Sequence, residues 1–365
     1  MSAAQGPRIG SVCTGYGGLD MAVQAVLGGE LAWVADIDLG ASAILAHRCP
    51  GVPNLGDITA VSWADVAPVD VLTAGFPCQD VSSAGLRAGL AEGTRSGLWR
   101  EVARAVRELN PSLVVIENVQ GLRSARADGD VEPCPWCLGD GDRERAVRAL
   151  GTVLADLAGL GFDAEWVSVR ASDVGAAHQR ERVFLLAWPA HPQGLRLRGR
   201  LAERRLAAAH PQGQRHRNSG TPGVGGLQAA AVGGSAAAAA HPDRRGRGTD
   251  ESGLRPGHPD PGRSDRAAGV WGPYADAIRR WEAATGRPAP GPVDAAGRLS
   301  PAFVEWLMGL PAGHVTAVPA LTRTAQLKAL GNGVLPAQAE HALRLLLDRA
   351  TADTIPDNQV DRAAA

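Results

Sequence analysis

Between Arg8 and Pro189 the chain repeats one phrase: a short apolar run, a turn, then a longer segment with helical spacing. The runs are Arg8–Val12, Leu31–Ala35, Val69–Ala74, Leu113–Ile116, Ala164–Val169 and Arg182–Ala187. Between them, Gly18–Leu27, Leu39–His47, Gly97–Leu109 and Arg143–Leu160 carry the spacing of helices. Runs so short and so continuously apolar suit strands buried on both sides. Strands alternating with helices predict a mostly parallel sheet covered on both faces, an α/β fold. Asp57, in Gly56-Asp57-Ile58-Thr59, is read as closing a further strand, the third in order.

Length and charge leave room for more than this sheet. A chain of 365 residues accommodates one large α/β domain with a smaller piece, or two domains. A net charge of -1 argues against a uniformly basic nucleic-acid coat but not against a local basic face. Lys328 is the only lysine, and such Arg-, Ala- and Gly-rich usage fits a coding bias as well as a function. Five cysteines, no leader-like start and no apolar run near ~18 residues predict a reduced, soluble, cytoplasmic protein without a membrane span.

The pattern changes near residue 190. Residues 190–268 are rich in Gly, Ala, Pro, Arg and His, with four degenerate copies of an Ala/Gly-His-Pro phrase at His191, His210, His241 and His258. Their irregular separations of 19, 31 and 17 residues argue against a stacked repeat. Residues 190–270 hold 13 arginines against 6 acidic residues, in a stretch too poor in apolar groups to bury a core. Order is expected again from Val270, with a helix at Ala275–Thr285 and another announced by Ser300 as N-cap and Pro301 at the first helical position. A last helix is predicted over Pro336–Arg349, then a tail.

Several residues in this frame can carry chemistry. Cys78, in Gly75-Phe76-Pro77-Cys78-Gln79, follows a strand run directly and stands where open α/β sheets place their ligands; it reads as a nucleophile or as a small apolar core residue. Thr14-Gly15-Tyr16-Gly17-Gly18, between the first strand and its helix, is the usual cradle of a nucleotide-like cofactor or a simple tight turn. Asp36, about 20 residues on, sits where a carboxylate takes ribose hydroxyls, and Asp57 could serve similarly; both could equally be capping or surface aspartates. Glu117 ends an apolar strand, so desolvation should raise its pKa and suit it to sharing a proton, unless it is simply a buried paired acid. Arg180 and Arg182 alternate onto one face of an extended segment, ready for an anion or a base carbonyl, or for solvent. Gly331-Asn332-Gly333 reads as a turn entering the last helix or as a ligand contact. Cys134 and Cys137 form half a zinc pattern with no second pair nearby, so no metal is expected.

Taken in order, these motifs resemble the DNA (cytosine-5)-methyltransferases along nearly all of the chain except 190–268 and the tail. Pro77-Cys78-Gln79, Glu117-Asn118-Val119, the Arg180/Arg182 pair, the glycine turn and Gly331-Asn332 carry the resemblance. It implies a Rossmann-like methyltransferase domain over 8–189, a target-recognition region over 190–325, a segment over 326–350 that returns to the catalytic domain, and a tail over 351–365. It implies S-adenosylmethionine bound by Gly15, Tyr16, Gly17, Gly18, Asp36, Ile37, Asp57, Ile58, Pro77, Leu98 and Asn332. It further implies covalent attack by Cys78 on C6 of a flipped-out cytosine, with Glu117 and Arg182 on the ring, Arg180 supporting the loop, and Gln79 and Ser82 on the DNA. Double-stranded DNA would be the partner of a monomer, with a cognate restriction endonuclease possible, in a bacterium or a phage-infected cell. A related subgroup shares these motifs and acts on tRNA, and a DNA-binding protein on a retired catalytic fold is a third reading. Cys13, His178 and Gly333 stand where the family often has an aromatic, a Gln and a Ser.

Overall fold

A computed structural model describes residues 6–76, 98–119, 149–190 and 271–352 of the chain. The strands are β1 (Arg8–Val12), β2 (Glu30–Ala35), β3 (Val71–Ala74), β4 (Leu113–Val119), β5 (Phe162–Arg170) and β6 (Glu181–Pro189). The helices are α1 (Gly18–Leu27), α2 (Leu39–Arg48), α3 (Leu98–Leu109), α4 (Ala149–Gly159), α5 (Ala275–Thr285), α6 (Pro301–Leu307), α7 (Arg323–Asn332) and α8 (Pro336–Ala352). The mixed α/β class expected from the alternation, and the methyltransferase-type sheet implied by the resemblance, are what the structure shows.

All six strands lie in one sheet of order β2-β1-β3-β4-β6-β5. Side chains alternate across it with period two. On β4, Val114 and Ile116 face a core with Trp33, Trp63, Phe76, Trp99, Val102 and the apolar side of α4. Leu113 and Val115 face the opposite core, built with Leu19 and Val23 of α1 and Leu343 and Leu346 of α8. Because helices cover both faces, β1 is buried after its first residue, β3 throughout and β4 up to its last, which is why they were legible as apolar runs. Residues 271–335 add a third core, where Trp281, Trp306, Leu310, Val315 and Leu330 pack with Tyr16 and Ile44.

The sheet is mostly parallel, as expected, and only the pairs β4/β6 and β5/β6 at one edge are antiparallel. Residues 171–180 are too short a link for the crossover helix a parallel pair needs, so the chain turns back on itself. Asp57 closes no strand: that stretch makes only a single bridge, Val34 with Asn54, and the third strand is Val71–Ala74. Pro53, which has no N–H, and Gly51 and Gly56, both at positive φ, interrupt it. Finally, Gly331 and Asn332 do not enter the last helix but end α7, with Gly333 as its cap. Only Leu330 of α7 is buried, so no apolar stripe announced that helix.

Candidate active site

The carboxyl ends of β1 and β3 meet residues 332–334 at one small cleft lined by Ser11, Cys13, Thr14, Gly15, Asp20, Gly75, Asn332 and Val334, among others. The chain leaves β1 through Cys13 at φ 53° and Gly15 at φ 59°, and Gly17 caps α1 at φ 83°. At Gly15 nothing lies within 4 Å of where a Cβ would stand, so backbone and open space meet there. Gly18 is glycine for a different reason: a Cβ would lie 2.1 Å from the Val334 carbonyl oxygen. The Tyr16 side chain does not line the cleft. It is buried, donates its hydroxyl to the Val334 carbonyl at 2.7 Å, and ties the first loop to the far end of the chain. His314 meets the Tyr16 carbonyl at 2.9 Å.

Asp36 follows β2, and its carboxylate accepts the amides of Gly15 at 2.8 Å and Asp38 at 2.9 Å. Burial raises its pKa, with those two amides working against the rise. Beside it Ile37 is 69% exposed, an aliphatic face left open next to a half-buried carboxylate. Asp57 is exposed and caps Thr59 through its amide and hydroxyl, while the Ile58 side chain is buried in the core. Leu98 begins α3 and is half-buried against the same core; Asn332 lines the cleft. Pro77, Cys78, Gln79, Ser82, Cys134 and Cys137 lie outside the described residues.

A cation that sequence reasoning set aside also belongs here. Lys328 of α7 pairs with Asp38 at 2.5 Å, and Asp38 in turn caps α2 through the amides of Gly40 and Ala41. The Lys328 hydrogen bond is the largest cause holding the Asp38 carboxyl below the usual range. Lys328→Ala is expected to cost well under about 1 kcal/mol, as exposed pairs do. Asp38→Ala, which also removes the cap, should cost about 1 kcal/mol more in a urea melt.

Glu117 lies near the end of β4, 6% exposed, and meets Arg182 of β6 at 2.9 Å between Oε1 and Nε. Burial pushes the Glu117 carboxyl up and the Arg182 guanidinium down, each partly restored by the other. Arg182 also donates to the Glu181 carbonyl. Arg180 turns elsewhere: it donates to the carbonyls of Gly331 at 2.9 Å and Gly333 at 2.5 Å. Asn118 donates to the carbonyl of Phe76, the last described residue after β3, at 3.1 Å. Gly75 lies between the two halves of the site, lining the cleft with its own Cβ position 4.0 Å from Glu117 Oε2.

The six-stranded sheet, with the glycine turn and the Glu117–Arg182 pair at the ends of its strands, has a Rossmann-like, methyltransferase-type fold. Residues 8–194 match the family model for C-5 cytosine-specific DNA methylases, and the chain belongs to that family. It is 32% identical over 157 residues to the type II methyltransferase M.NgoBV of Neisseria gonorrhoeae, a match covering 43% of this chain and 34% of that protein. It is 40% identical over 128 residues to a DNA N-6-adenine-methyltransferase of Escherichia phage P1, covering 32% and 17%. The chain thus spans about a third or less of the length of these relatives. The fold resembles S. pombe Dnmt2 methyltransferase with a TM-score of 0.50 at 12% identity, covering 94% of this chain and 99% of that one. Among the described residues no helix is long and apolar enough to cross a membrane, and no group of three or more metal-ligating side chains is found.

Proposed function

We propose that the chain transfers a methyl group from S-adenosylmethionine to C5 of a cytosine flipped out of duplex DNA. The observation that carries this reading is the buried Glu117–Arg182 pair, which stands beside Gly75, two residues before the Pro77-Cys78-Gln79 segment. A carboxyl whose burial favours its protonated form can donate to N3 of a cytosine and accept from its exocyclic amine. Arg182 keeps its Nε on Glu117 and Nη1 on the Glu181 carbonyl, and offers Nη2 to the carbonyl oxygen O2 of the base. Arg180 braces the turn at Gly331–Gly333 from the same segment.

The residues present fit the cofactor. Gly15 leaves room against backbone, Asp36 offers a carboxylate to ribose hydroxyls, and Ile37 offers an apolar face to adenine. Gly17 and Gly18, the Tyr16 main chain, Asp57, Ile58, Pro77, Leu98 and Asn332 complete the set. Bound there, S-adenosylmethionine supplies an electrophilic methyl group. The Cys78 thiolate adds to C6, and the displaced C5–C6 π electrons make C5 nucleophilic enough to take that methyl. Loss of the C5 proton to a base then lets the C6–S bond break and returns the thiolate. Gln79 and Ser82 are assigned to the space the flipped base leaves.

Residues 190–325 are assigned to target recognition and 326–350 to the returning segment, in a cytoplasmic monomer. The relative named as a type II methyltransferase favours a modification role, alongside a cognate endonuclease, in a bacterial or phage-infected cell. Transfer of labelled methyl groups to duplex DNA and to tRNA, followed by bisulfite sequencing of the DNA, tests the assignment. Cys78→Ala is expected to abolish incorporation into DNA. Label on tRNA alone would overturn the substrate, and undiminished transfer by C78A would overturn the nucleophile.

A further inference from the structure

Asp20 is the charged side chain of this cleft that the mechanism leaves unused. It stands in the first turn of α1, is 1% exposed, and lines the cleft along with Asn332 and Val334. Its Oδ2 accepts from the Ser11 hydroxyl of β1 at 3.0 Å and its Oδ1 from the Thr73 hydroxyl of β3 at 2.5 Å. Hydroxyls orient a carboxylate but bring no counter-charge, and no cation among the described residues pairs with it. Desolvation raises its pKa to about 6, against the pull of those hydrogen bonds. Sign matters here. A carboxyl with a raised folded pKa adds stability that is present below its unfolded pKa and lost as pH rises through about 6. At neutral pH this group therefore works against the fold.

We propose that Asp20 is the binding residue for the cationic amino-acid end of the cofactor. The inference rests on the S-adenosylmethionine reading above. Asp36 marks the ribose end through the Gly15 amide. Asp20 lines the cleft together with Gly75 and Asn332, and the Gly75 Cβ position stands 4.0 Å from Glu117 Oε2, the acid assigned to the base. The ligand's reactive end must lie there, and in this cofactor the methionyl ammonium hangs from the reactive sulfur. A buried, hydroxyl-oriented carboxylate without a protein counter-ion is matched by a ligand that carries the cation in.

Other titratable groups share the neighbourhood. They are Cys13, raised to about 12 by burial, Cys49, whose thiol is raised by burial with Asp20 contributing, Tyr16, Asp36 and Glu117. The experiment separates Asp20 from the last two. Affinities of the full chain for S-adenosylmethionine and for methylthioadenosine, which lacks the amino-acid end, are measured by calorimetry from pH 5 to 8. Wild type should lose about tenfold in S-adenosylmethionine affinity between pH 7 and pH 5 as Asp20 takes up its proton. Asp20→Asn should bind about ten- to a hundredfold more weakly at pH 7 and lose most of the pH dependence, with an apo melting temperature no lower than wild type. Glu117→Gln should keep the wild-type slope, and methylthioadenosine should bind wild type and D20N alike. D20N binding S-adenosylmethionine within twofold of wild type, or losing methylthioadenosine equally, would overturn the inference. Wild type that binds no S-adenosylmethionine at any pH would instead overturn the cofactor reading, and this inference with it.

Discussion

Arg182→Ala is expected to destabilise the protein by about 3–5 kcal/mol, because it strands a buried carboxylate. Glu117 has little solvent to turn to, and Arg182 Nε at 2.9 Å is its one ion-pair partner among the described residues. Part of the loss is recovered when the carboxyl takes up a proton, so the deficit should shrink as pH falls. Pairing the substitution with Glu117→Gln should restore stability to within about 1–2 kcal/mol, since a neutral amide no longer needs a counter-ion. Methyl transfer should not return in that double variant. Urea melts and labelled-methyl incorporation read the two effects separately. A loss below about 1 kcal/mol for R182A would mean that water reaches Glu117 and that its raised pKa has another origin.

The second large effect is steric. Gly333 has φ -78°, ψ 176°, a conformation open to any residue, so its identity is not set by the backbone. A Cβ there would lie 1.8 Å from the Tyr16 ring. Gly333→Ala should therefore cost about 1–3 kcal/mol, by forcing Tyr16 off its hydroxyl contact with Val334. In a Tyr16→Ala background the same substitution should cost almost nothing, giving a coupling of at least about 1 kcal/mol in a double-mutant cycle. Gly18→Ala is the control. Its first obstacle is the Val334 carbonyl oxygen at 2.1 Å, a backbone atom that removing the tyrosine ring does not move. Rescue of G18A by Y16A would show that the returning segment is looser than its hydrogen bonds imply.

Legibility followed burial. β1, β3 and β4 are apolar on both faces, and α1, α5 and α6 announce themselves through an apolar stripe or, at Ser300-Pro301, through a cap whose side chain does accept the Phe303 amide. Glu117 was legible as a desolvated acid because an apolar strand ends on it. What stayed hidden depends on partners far apart in sequence. Lys328 gains meaning only beside Asp38, 290 residues away, and Tyr16 only beside Val334, 318 residues away. Asp20 reads as an ordinary first-turn acid until Ser11 and Thr73 are seen to close over it. The polar helix α7 has no face that a periodicity could detect.

The wall of the cleft opposite the glycine turn is made by Asn332, Gly333 and Val334, while α8 packs against α1. A nascent chain paused after residue 320 would have every strand of the sheet outside the ribosome and still lack that wall of the cleft. Loop closure over more than 300 residues comes late in folding. A chain cut short before residue 332 would thus lack that wall of the cleft and, without α8, leave one face of the sheet uncovered.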